Sequence, residues 1–190
     1  MTATTGSPGI ATRRPRTILY TCIGAAVVIA VFVAVLASAK PSSDNTTSPL
    51  IGKAAPAITG PSLSGQGAYS LAQFSGKWVL VNFAASWCVP CRQETPQLLT
   101  FNAQHHAAGN ATVLAVAFDP SDQANLERFL KQTDATWPTV SDPAAEVAYG
   151  VTQIPQSFLV DPSGTVVAKY FGEVSAAQIN DFIAKATATG

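Results

Sequence analysis

Residues 84–96 read AASWCVPCRQETP. Two cysteines, Cys88 and Cys91, stand three positions apart, with Pro90 between them and Glu94 three residues beyond. Just before them runs Trp78 to Ala84, WVLVNFA, an apolar β-prone stretch that reads as a strand buried on both faces. Just after them, helix formers extend from Cys91 to about Ala107, with Gly109 as a stop. Pro96 lies inside that helix, where its missing N–H removes a bond to the Arg92 carbonyl and predicts a kink. The cysteine pair therefore sits where a strand hands over to a helix.

Such a pair can staple a fold, hold a metal or exchange electrons. A bridge across two intervening residues closes so short a loop that it restrains little unfolded-chain entropy. A closed zinc site needs four ligands, and the pair supplies two. The histidines, His105 and His106, are adjacent, so on a helix they point about 100° apart and do not chelate together. They read instead as a polar or cationic helix C-terminus. Electron exchange fits best. First-turn N–H groups and the helix dipole stabilise a thiolate at Cys88, the attacking species in disulfide exchange. Cys91, one turn on, is placed to resolve the mixed disulfide. This reading expects Cys88 to be exposed at the helix mouth. Pro90 removes an orphan donor and holds the first turn.

Working outward, hydrophobic residues make up 47% of the 190 and charged residues 12%, too apolar for a disordered chain. Net charge is zero but uneven. Arg13, Arg14 and Arg16 precede residue 17 without an acid, leaving eight basic against eleven acidic residues in the rest. A mildly acidic domain carries no electrostatic footprint for nucleic acid. Residues 17–39 hold no charge, and their 23 residues span roughly 34 Å as a helix, enough for a bilayer core of about 30 Å. The arginines before them place residues 1–16 as a cytoplasmic basic tail and the remainder outside. Ala37-Ser38-Ala39 also fits a signal-peptide cleavage site, so 17–39 is a transmembrane anchor or a signal segment. Either exports the domain. Residues 40–50, KPSSDNTTSPL, read as a flexible linker, and 51–190 as one domain.

Within that domain, Ala111 to Phe118 reads as a second buried strand and Asp122 to about Gln132 as an amphipathic helix. Trp137 to Val140 is a short extended piece. Asp142-Pro143 opens a helix that ends before Gly150. Ser157 to Val160 and Val166 to Tyr170 flank a hairpin turn. Ser175 with Gln178 forms a capping box for a last helix. The order β, α, β, α, short α, β, β, α implies an α/β domain with a mixed central sheet covered by helices.

Trp87-Cys88-Val89-Pro90-Cys91 after an apolar strand resembles the thioredoxin fold. The longer pattern from Trp87 to Pro96 is similar to the membrane-anchored, extracytoplasmic TlpA/ResA/CcmG-like thioredoxins. Gly52-Lys53-Ala54-Ala55-Pro56, Phe74-Ser75-Gly76-Lys77 and Tyr149 to Asp161 extend the likeness over nearly all of 51–190. The resemblance implies a thioredoxin-like thiol–disulfide oxidoreductase with Cys88 and Cys91 as redox residues. It implies that Pro155 is cis and faces the cysteines, that Ile154 offers backbone groups to a substrate strand, and that Trp87 shields the sulfurs. With Pro90, these form the expected substrate-binding set. Asn82 stands where cytoplasmic thioredoxins have a buried aspartate. Glu94 is then expected to move protons and tune the cysteines, against the plain alternative of a solvated carboxylate in a first turn. Arg92 reads as a solvated helix charge.

Val89-Pro90 offers no charge or donor to stabilise a thiolate strongly, which favours a reductase of specific protein disulfides over a disulfide-forming oxidase. The resemblance adds apocytochromes c as a substrate class and a membrane electron donor as a partner. A peroxiredoxin-type peroxidase is disfavoured because Ala85 occupies its threonine position. A copper chaperone is disfavoured because no histidine follows His106. No cofactor or metal is expected, and the bilayer is contacted through 17–39.

Overall fold

A computed structural model describes residues 16–38, 48–65 and 67–188. It divides into two units, described separately: the N-terminal helix and the domain that follows.

Helix α1, Arg16–Ser38, is 23 residues long and coincides with the stretch expected to be an anchor or signal segment. Among the described residues no helix is long and apolar enough to cross a membrane. The α1 side chains described are Tyr20 and those of residues 22–32, and an 11-residue run of helix covers about 16 Å. The expected basic tail falls outside the described residues except for Arg16, as does most of the expected linker. Ser48 to Leu50, assigned to that linker, instead fold with the domain. Ser48 is buried, its carbonyl accepts the Ile51 N–H at 3.1 Å, and Leu50 packs on the core. An apolar side chain next to a turn is drawn to the core whatever the polarity of its neighbours.

The domain is built on a five-stranded sheet in the order β5-β4-β3-β6-β7. Strands β3 (Trp78–Ala84), β4 (Ala111–Ala117) and β5 (Thr139–Val140) run parallel. Strand β6 (Gln156–Val160) is antiparallel to β3 and to β7 (Val166–Phe171). The expected mixed sheet is therefore present, with β3 at its centre. Unforeseen in the sequence is a small antiparallel hairpin, β1 (Thr59–Pro61) with β2 (Ala68–Ser70), followed by a 3₁₀ turn at Leu71–Phe74. These strands are three residues long, too short for an alternation pattern to register. β1 lies against the chain after β5 so closely that a side chain on Gly60 would meet the Ser141 carbonyl oxygen at 2.1 Å.

Helix α2 (Val89–His106) begins two residues earlier than expected and continues as one helix through Pro96. With α5 (Ala176–Ala188) it covers one face of the sheet, where Leu80 and Leu159 meet Leu98, Phe101, Ile179 and Ile183. Leu130 of α3 (Gln123–Gln132) packs on that same cluster. The other face holds Val81, Phe83, Phe158 and Val160, covered by Tyr149 of α4 (Pro143–Tyr149) and by Ile58, Leu71 and Phe74. Two cap predictions match the structure. Asp142 accepts from the Ala145 N–H at 3.2 Å, and Ser175 and Gln178 cap each other reciprocally at 3.3 and 2.9 Å.

Candidate active site

Strand β3 ends at Ala84, and the chain turns through Ala85-Ser86-Trp87 before entering α2. The turn is fixed from α3. Asp122 stands at the N-cap position of that helix but makes no capping bond. Its buried carboxylate instead accepts the Ser86 N–H at 2.6 Å and the Ser86 hydroxyl at 2.7 Å. Cys88 follows as the N-cap of α2, with Pro90 in the first turn. Its Sγ accepts the Cys91 N–H at 3.2 Å, taking the place of the oxygen usual at an N-cap. A reduced Cys88 thiolate would sit on that donor and at the positive end of the helix dipole.

Cys88 and Cys91 form a disulfide with Cα atoms 5.2 Å apart. Both cysteines are only 4% exposed, packed against Ala84, Ala85 and Ile154. The expectation of an exposed outer sulfur does not hold in this oxidised form, because Ile154 and the turn residues close over the bridge. The Ile154–Pro155 bond is cis, and Pro155 is buried. Long-range pairing of β6 with β3 brings Ile154 against the bridge; its position in the chain does not.

Trp87 is 57% exposed, which excludes ordinary core packing. Its indole N–H donates to Asp119 Oδ2 at 3.4 Å. The Ser121 hydroxyl and N–H on Asp119 hold that carboxyl below the usual range. Arg92 is not simply solvated, since its guanidinium stacks 4.6 Å from the Phe129 ring centroid and reaches the Ser86 carbonyl at 3.5 Å. His105 and His106 lie at the far end of α2 from the cysteines. Among the described residues no group of three or more His, Cys, Asp or Glu side chains could hold a metal ion.

Glu94 differs most from its plain alternative. It is 1% exposed. The Asn82 amide donates to its Oε1 at 2.8 Å, and the Val174 N–H donates to its Oε2 at 3.3 Å. Burial pushes its carboxyl from the usual 4.5 up to about 7; the two hydrogen bonds pull the other way, and Glu173 adds a smaller upward push. A carboxyl that titrates near neutrality, one helical turn from Cys91, can take and return a proton while sulfurs exchange. Asn82 also donates to Ser157 Oγ at 3.0 Å. Ser157, Val174, Asp122 and Phe129 escaped sequence reasoning. The available signal was polarity inside apolar strands, since Asn82 in WVLVNFA and Ser157 in QSFLV each need a partner once buried.

The cleft that reaches Cys91 holds only about 10 Å³, room for roughly one water molecule. A cleft of about 470 Å³ lies instead among Ile58, Phe74, Val79 and Val160, at the other end of β3 and β6. The profile of the AhpC/TSA family matches residues 51–169. The chain belongs to that family. The thiol-disulfide oxidoreductase ResA of Bacillus thuringiensis subsp. konkukian is 34% identical over 139 residues, covering 72% of this chain and 79% of the relative. The thioredoxin domain of a Bacteroides vulgatus thiol-disulfide oxidoreductase superposes with a TM-score of 0.63 at 31% identity, over 73% of this chain and 98% of that one. A thiol:disulfide interchange protein DsbE from Chlorobium tepidum gives 0.61 at 32% identity, over 69% and 94%. This AhpC/TSA-family chain is therefore a thiol–disulfide oxidoreductase with a thioredoxin-like fold.

Proposed function

We propose that this oxidoreductase works outside the cytoplasm, tethered by residues 17–39, and reduces specific protein disulfides. The observation that carries the reading is Cys88 at the N-cap of α2, bridged to Cys91, with a buried carboxyl one turn on. In the reduced protein the Cys88 thiolate attacks one sulfur of a substrate disulfide. That S–S bond breaks, a mixed disulfide forms, and the other substrate sulfur leaves as a thiolate. Cys91 then gives its proton to Glu94 and attacks Cys88 Sγ. The second substrate thiolate leaves and the Cys88–Cys91 bridge forms. Two electrons pass to the substrate, whose thiolates are protonated from Glu94 and solvent. A membrane electron donor then restores the dithiol.

Ile154 supports polypeptide substrates, since it forms no hydrogen bond among the described residues and lies against the bridge, where an extended segment can pair with its peptide groups. Trp87 and Val89, both exposed, supply apolar contact beside it. The uncharged 17–39 stretch with Arg13, Arg14 and Arg16 before it supports the tether. The resemblance of Trp87 to Pro96 to the TlpA/ResA/CcmG-like thioredoxins points to apocytochromes c as a substrate class.

The test is capture in the native membrane. Cys91→Ser should hold the physiological partner on Cys88 as a mixed disulfide that reductant releases and mass spectrometry identifies. Cys88→Ser should capture nothing and lose insulin reduction by about 10³-fold or more. Turnover that survives Cys88→Ser would end the reading. A reduction potential near about −120 mV, far above the glutathione range, would turn it into disulfide formation.

A further inference from the structure

Asn82, buried at the sheet centre, offers two Nδ2 hydrogens and one carbonyl. One hydrogen goes to Glu94 Oε1 at 2.8 Å and the other to Ser157 Oγ at 3.0 Å. Ser157 is fully buried on β6, the register partner of Asn82 on β3. We infer that Ser157 is a positioning residue for Glu94, acting through Asn82: by accepting the second amide hydrogen it holds the first one on the carboxylate. This inference rests on the proposed proton-transfer role of Glu94.

The physical argument concerns what the amide does without that acceptor. A buried Asn side chain with one hydrogen bonded and one orphaned loses desolvation energy that reorientation recovers. Any tilt toward another acceptor lengthens the 2.8 Å bond, which is the stronger of the two hydrogen bonds that oppose the effect of burial on Glu94. The carboxylate then loses support and the neutral acid gains. A hydroxyl suits the position because it serves both protonation states. It accepts from Nδ2 beside the carboxylate, and it can turn to donate to Oδ1 if the amide rotates toward a protonated Glu94. An aspartate at 82 could not do this, since it would face Glu94 as a second carboxylate. Of the other groups on this side, Glu173 on the loop before α5 acts on Glu94, Cys91 precedes it by one helical turn, and Tyr170 lies on β7. Tyr170 is paired with Ser157 in register and, being buried, ionises only at about 12.

The experiment follows the Glu94 carboxyl-carbon NMR shift against pH in the oxidised full-length protein, where no thiol titrates at the site. Glu94→Gln identifies the signal. Ser157→Ala should move the midpoint upward by about one pH unit, and Ser157→Thr, which keeps the hydroxyl, should leave it near the parent value. Asn82→Ala should raise it at least as far, and Ser157→Ala should then add nothing. A folded Ser157→Ala protein with the parent midpoint would overturn the inference. So would a further upward shift on top of Asn82→Ala, because Ser157 would then be acting by another route. The titration reads Glu94 whether or not Cys91→Ser captures a partner, so failure here is distinct from failure of the proposed reaction.

Discussion

Both faces of the central sheet are packed with apolar side chains, but at one level of the strands they differ. On the face covered by α4, Phe83, Tyr149 and Phe158 meet at centroid distances of 5.4, 6.0 and 4.9 Å, tilted or edge-on, as aromatic quadrupoles prefer. On the face covered by α2 and α5, at the same level of the strands, Asn82, Ser157 and Glu94 form a hydrogen-bonded polar chain. The first arrangement gains free energy from apolar area and close packing. The second costs free energy in desolvating a carboxyl, and hydrogen bonds only partly offset that. Within the costly arrangement, Glu94 follows Cys91 by one helical turn and Asn82 lines the same small cleft as Cys91. One face is aromatic at this level, while the other, apolar elsewhere, carries a buried carboxyl.

Removing the aromatic side should produce the largest effect on folding. Phe158→Ala should lower the unfolding free energy by about 4 kcal/mol in denaturant titrations. The fraction that remains folded should keep its Glu94 midpoint, and a large midpoint shift would show that the two faces are not separable. The polar side should reveal itself through pH. Glu94 is protonated in the folded chain up to about 7, while its unfolded counterpart ionises near 4.5. Between these values the folded state holds the extra proton, so stability falls as pH rises and levels off above 7. Glu94→Gln removes that dependence, so its stability relative to the parent should rise by about 3 kcal/mol from pH 4 to pH 8. Parallel stability–pH curves for the two proteins would mean that Glu94 is not the costly group.

The smallest effect tests how far the polar side extends. Val174, which donates to Glu94 Oε2, directly precedes the Ser175–Gln178 capping box. Ser175→Ala should cost about 1 kcal/mol of stability, measured by thermal or denaturant unfolding, and leave the Glu94 midpoint in place. A shifted midpoint would place the helix cap within the titrating network.

Much of this was readable from local pattern. The cysteine pair, its strand and helix, the Asp142 and Ser175 caps and the final hairpin depend on residues within a few positions of one another. What was not readable depends on residues brought together from far apart. Asp122, read only as the start of a helix, holds the Ser86 turn 36 residues away. Arg92 looks solvated until α3 places Phe129 beneath it. The β1–β2 hairpin was missed because three-residue strands carry no usable periodicity.

Sequence alone determined that this chain places a Cys-x-x-Cys pair at the start of a helix, after a buried strand, in an α/β domain. Spacing and apolar period fix those features, and both are properties of neighbouring residues. Tertiary structure decided that Glu94 is buried rather than solvated, that Ser157 completes its hydrogen-bond chain across 75 residues, and that Ile154 packs against the sulfurs. Burial and strand register are set by which distant segments pack together, and a proton's affinity for a carboxyl follows from that packing.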